Sequence, residues 1–251
     1  MIVVTGPGRS GTSLLARLYK ELGFDPGGWW QSEVNAGFEH KDVWALNVKV
    51  ARSLGVSAGE RRGGRLLEGA GYFVGKSEGH VSERIRRPIA RAVDVVRYLR
   101  SQPDLMDFEH VDRVALRYGA QMRALAKDLP VVKDPQFCFT LHAWLAAGAP
   151  VEAVVLTLRP LDALADSRVR ANMYMGRARD WARHNYCYGL GLLLTATAEN
   201  RVPVSMLRFP DFLADPDELR RNLPMPEART PEEFERAFCS VYDPSLVHDH
   251  R

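Results

Sequence analysis

The sequence predicts an α/β fold, a parallel sheet with helices on both faces, and three observations predict it. Four short runs are rich in Val, Ile and Leu without polar alternation, as strands buried on both faces are. Segments of helical spacing separate them, which calls for crossover connections that lay helices over the sheet. The first run passes through a glycine-rich turn directly into the first helical segment, the usual entry to such a sheet.

The strand runs are Ile2–Thr5, Pro130–Lys133, Val151–Leu158 and Val202–Phe209. Helical spacing covers Ser10–Leu22, Lys41–Leu54, Ser82–Leu99, Val111–Leu129, Leu161–Asn172 and Asp180–Glu199. Residues 55–80, dense in Gly and charge, read as a loop excursion or lid. From Asn222 onward the prolines 224, 226, 231 and 244 predict a tail wrapping the outside of the domain. No repeat, low-complexity tract or composition shift divides the chain, so 1–251 reads as one domain.

The chain has 251 residues, 46% hydrophobic and 26% charged, enough to bury a full core. A formal net charge of +3 fits local basic patches better than a nucleic-acid-binding protein. Arg61, Arg62 and Arg65, then Arg84, Arg86, Arg87 and Arg91, form such patches with little aromatic interleaving; they read as a solvated face or an attractor of acidic acceptors. Cys138, Cys187 and Cys239 have no metal-like spacing and read as reduced, mostly buried thiols. His248 and His250 read as a solvated tail, and no metal site is expected. With no leader-like start and no membrane-length apolar run, the expectation is a soluble cytoplasmic protein without a membrane span.

Residues 4–13, VTGPGRSGTS, carry the strongest chemical signal. Gly6 and Gly11 match the glycines of the G-x-x-x-x-G-K-[ST] phosphate loop, and Ser13 matches its hydroxyl. Glycines allow backbone N–H groups to close around an anion, and the helix starting near Thr12 adds the positive end of its dipole. Thr12, however, stands where the lysine belongs, and the nearby cation is Arg9. A kinase of a small metabolite would want that lysine for its β- and γ-phosphates.

Residues 7–15, PGRSGTSLL, resemble the 5′-phosphosulfate loop of sulfotransferases that use 3′-phosphoadenosine-5′-phosphosulfate (PAPS), the bacterial type included. The resemblance implies that Gly8, Arg9, Ser10, Gly11, Thr12 and Ser13 hold the donor's 5′-phosphate, with Arg9 stabilising the leaving phosphate. A second block, VLTLRPLDALADS (155–167), has Arg159 at a strand end and Ser167 eight residues on. In that family such a pair grips the donor's 3′-phosphate, and an arginine fork suits a phosphate physically. Residues 131–135, VVKDP, resemble the bacterial K-D-P-R segment with Gln136 in place of Arg, and 204–216 resemble a late strand and D-P turn with Pro210 in place of an acid. About 52–128 lies outside the resemblance and is expected to carry acceptor specificity.

Sulfuryl transfer needs a base at the acceptor. The resemblance implies a glutamate after the loop helix: Glu39 is the first choice, then Glu33, then His40. Glu39 could instead cap the helix from Lys41. Asp134 is another candidate base, equally suited to positioning, and Lys133 could stabilise sulfuryl oxygens. Trp29, Trp30, Tyr72 and Phe73 flank these segments as candidate pocket walls. The implied co-substrate is PAPS, with no metal, and the implied partner is a small-molecule or carbohydrate acceptor. The rival readings are a P-loop metabolite kinase and a non-catalytic nucleotide-binding protein on the same fold.

Overall fold

The structure, a computed structural model, describes residues 1–27, 29–31, 36–56, 108–170 and 178–242. Its elements are β1 (Ile2–Thr5), α1 (Thr12–Glu21), β2 (Trp29–Gln31), β3 (Ala36–Glu39), α2 (Lys41–Ser53) and α3 (Phe108–Asp128). There follow β4 (Val131–Lys133), α4 (Phe137–Ala146), β5 (Ala153–Leu158), α5 (Leu161–Arg170) and α6 (Ala178–Glu199). The last are β6 (Val204–Arg208), a 3₁₀ turn (Asp211–Leu213), α7 (Pro216–Asn222) and α8 (Pro231–Val241).

The sheet runs β2-β3-β4-β1-β5-β6. Five strands are parallel and flanked by helices; β2 joins the edge antiparallel to β3. In β1, Val3 packs into one apolar cluster while Ile2 and Val4 pack into another. Both faces of the central strand are therefore buried, and its sequence shows no alternation for that reason. One cluster lies under α2, α3, α4 and α6, with Trp144, Phe137 and Met122 at its heart. The other lies under α1, α7 and α8.

All four expected strands are present, and β2 and β3 are additions. Strand β3 includes Ala36, Gly37 and Glu39, poor strand formers that stand because β3 pairs beside β4 through Glu39 and Lys133. Helix α4 was also unread, because it is apolar all round: Phe137, Leu141 and Trp144 are buried, and so are Thr140 and His142.

Within the proline-bearing tail, 231–241 forms a helix, and Pro244 lies outside the described residues. Asp215 caps α7 by accepting from the Glu218 N–H at 2.8 Å, and Thr230 and Glu233 form a capping box for α8. Prolines 216 and 231 sit in the first turns, where a missing N–H costs nothing. Phe234, Ala237, Phe238 and Val241 then repeat at i, i+3, i+4 and i+7, and α8 buries that stripe in the α1 cluster.

Of the thiols, Cys138 is buried but Cys187 and Cys239 are exposed, which corrects the mostly buried expectation. Residues Ser82–Leu99, both arginine clusters, Tyr72, Phe73, His248 and His250 lie outside the described residues. Among the described residues no helix is long and apolar enough to cross a membrane.

Candidate functional site

The C-terminal ends of β1, β4 and β5 converge, and the β1–α1 loop crosses them, the usual crevice of an open α/β sheet. Two glycines fix the loop's path. A Cβ on Gly6 would lie 2.4 Å from Thr157 Oγ1, and one on Gly11 would lie 2.6 Å from the Phe209 ring. Gly11 also has φ 93°, and Arg9 between them has φ 78°, a region that L side chains rarely occupy. This tight cradle at the start of α1 fits an anion held by backbone N–H groups.

The cradle is pinned from beneath by a chain of hydroxyls. Ser10 Oγ meets Thr157 Oγ1 at 2.7 Å, and Thr157 Oγ1 donates to the Thr5 carbonyl at 3.4 Å. Ser10 and Thr157 are fully buried, so the Ser10 hydroxyl is committed to holding the loop. Any contact that Ser10 makes to an anion would come from its backbone N–H. Thr157 was missed in the sequence; its signal is a lone hydroxyl within the apolar strand AVVLTL.

On one side of the loop Arg9, Arg159 and Ser167 come together. Arg9 Nε donates to Ser167 Oγ at 3.3 Å, and Arg159 Nη1 donates to the Arg9 carbonyl at 3.1 Å. The Arg159 guanidinium also lies over the Phe209 ring, 5.3 Å from its centroid. The sequence assigned Arg9 to one phosphate and the Arg159–Ser167 pair to another; the structure joins all three in one cationic cluster.

On the other side Lys133 reaches the loop from β4. Its ammonium donates to Ser13 Oγ at 3.4 Å, to the Gly37 carbonyl at 3.1 Å and to Glu39 Oε1. The Gly37 N–H donates to Ser13 Oγ at 3.3 Å. Lys133 is 2% exposed and Glu39 15%, so this ion pair is largely withdrawn from water. Glu39 thus turns toward Lys133, while the α2 N-cap, His40, makes no side-chain cap bond. Glu33 lies outside the described residues.

Asp134 lies deeper. Its carboxylate accepts from Asn47 Nδ2 and from the Gln136 N–H, both at 2.9 Å, and its carbonyl accepts from Thr5 Oγ1 at 2.9 Å. Asn47 Oδ1 in turn accepts from Thr140 Oγ1 at 2.9 Å and Trp144 Nε1 at 2.8 Å. Burial pushes the Asp134 pKa up to about 6, opposed by the bonds from Gln136 and Asn47 and by the Lys133 charge. With both oxygens engaged and 1% exposure, Asp134 ties β1, β4, α2 and α4 together. Asn47 was also missed; its signal is a polar residue on the otherwise apolar stripe of Val43, Leu46 and Val50.

No protein-family model matches the chain, and no curated protein sequence does. Among solved structures it is similar to the crystal structure of a sulfotransferase from Mycobacterium tuberculosis, with 16% identity and a TM-score of 0.44. The match covers 98% of this chain and 72% of that one.

Proposed function

We propose that the protein transfers a sulfuryl group from PAPS to a hydroxyl or amine of a small-molecule or glycan acceptor. The observation that carries the reading is a glycine loop, lacking its own lysine, with a cationic cluster on one side and a lysine–glutamate pair on the other. In this reading the loop N–H groups, with Thr12 and Ser13, hold the donor's 5′-phosphate, and Arg159 and Ser167 hold its 3′-phosphate. Glu39 accepts the proton of the acceptor hydroxyl as its oxygen bonds to sulfur. The bond from sulfur to the 5′-phosphate oxygen breaks, adenosine 3′,5′-diphosphate leaves, and Arg9 and Lys133 offset the negative charge that builds there.

Calorimetry with adenosine 3′,5′-diphosphate, ATP and AMP tests the donor. The diphosphate should bind at least tenfold more tightly than the other two, and Arg159→Ala should remove that preference. Glu39→Gln should keep the diphosphate affinity within about threefold while turnover on an acceptor library falls 10²-fold or more, the range of a lost general base. Preference for ATP, or indifference to Arg159→Ala, would overturn sulfuryl transfer in favour of the kinase.

A further inference from the structure

A pocket of about 110 Å³ lies against the loop on the side of α4 and α6. Pro7 and Gly8 form one wall, Cys138 and Phe139 a second, and Tyr186 and Gly189 a third, with Pro135 and Gln136 closing it. We infer that this pocket takes an uncharged planar ring, and that the ring belongs to the acceptor; the word acceptor rests on the sulfuryl-transfer reading.

Three observations support the inference. First, no lining residue carries a charge, so an ionised ligand would lose water there without gaining a partner. Second, the size is of the order of one ring, at about 110 Å³ against roughly 150 Å³ for a closed apolar cavity that holds benzene. Phe139 supplies an aromatic wall braced by Tyr188, with ring centroids 6.5 Å apart. Gly189 lets α6 lie close against this wall, since a Cβ there would sit 3.0 Å from the Phe139 ring and 3.2 Å from Cys138 Cβ.

Third, the pocket shares two segments with the charged site and is tied to a third by a hydrogen bond. Pro7 and Gly8 directly precede Arg9, Pro135 and Gln136 directly follow Lys133 and Asp134, and the Tyr186 hydroxyl donates to the Arg159 carbonyl at 3.5 Å. The Gln136 amide, and the Tyr186 hydroxyl as an acceptor, are polar groups that can orient a substituent on the ring.

The test is calorimetry of phenol and 2-naphthol, with and without saturating adenosine 3′,5′-diphosphate, on wild type, Phe139→Ala and Phe139→Trp. Widening the pocket with Phe139→Ala should shift the preference toward 2-naphthol at least fivefold. Filling it with Phe139→Trp should weaken both rings tenfold or more. Both variants should keep the diphosphate affinity within twofold. Ring affinities that ignore both variants overturn the inference. So does a loss of diphosphate affinity with the rings unaffected, which would give the pocket to the nucleotide's own base. If the diphosphate binds none of the three proteins, sulfuryl transfer fails instead, and the phenol series without nucleotide still decides the ring site.

Discussion

Asp134 shows how much one side chain can organise. Its carboxylate is buried, bonded to Asn47 and Gln136, and keeps its proton to about pH 6, whereas an ordinary aspartate loses it near 3.8. The folded protein therefore holds this proton over a range where the unfolded chain has released it. Its contribution to stability is full below the unfolded value, declines as pH rises toward about 6, and is flat above. The expected loss is on the order of 3 kcal/mol across that window. Urea unfolding from pH 4 to pH 7 should show it, and Asp134→Ala should flatten the slope. Asn47→Ala should cost about 1–3 kcal/mol by leaving a buried Asp134 oxygen and the Trp144 indole N–H without their partner, while Thr140 keeps its bond to the Gln136 carbonyl.

At the scale of elements, the β1–α1 loop is governed by what its glycines face. At Gly11 a side chain meets two penalties at once, φ 93° and the Phe209 ring at 2.6 Å. Gly11→Ala should lower stability by about 1–2 kcal/mol for the backbone alone, and cut diphosphate affinity tenfold or more. Gly11→Ala with Phe209→Leu should recover the packing part and leave the backbone part, a split that thermal melts of single and double variants can read. The sequence revealed this element well, because glycines at fixed spacing between an apolar run and a helix mark a tight strand-to-helix turn. It revealed β3 and α4 poorly. Strand β3 owes its place to β4, a neighbour remote in the chain, and α4 is buried on every side, so neither leaves a periodic trace. The site follows the same division. Arg9, Lys133, Arg159 and Ser167 announce themselves beside motifs, while Thr157 and Asn47 matter through partners that only the fold supplies.

Across the whole molecule, two apolar clusters hold the sheet between them, and the crevice lies where the strands that divide them end. Helix α8 helps to close one cluster over α1, so its loss should be felt far from the loop. Phe234, 1% exposed, should cost about 3–5 kcal/mol as Phe234→Ala. Urea titration should show a lower midpoint with an unchanged slope, and diphosphate affinity below the transition within twofold. The sheet order has a further consequence for the making of the protein. Ile2 pairs with Val131 on one side and Ala153 on the other, so β1 leaves the ribosome well before either neighbour exists. Until the residues of β4 have been made, this apolar strand has both edges open, the condition in which nascent chains invite aggregation and chaperone capture. The strand that anchors the finished sheet is the one that the growing chain must shelter longest.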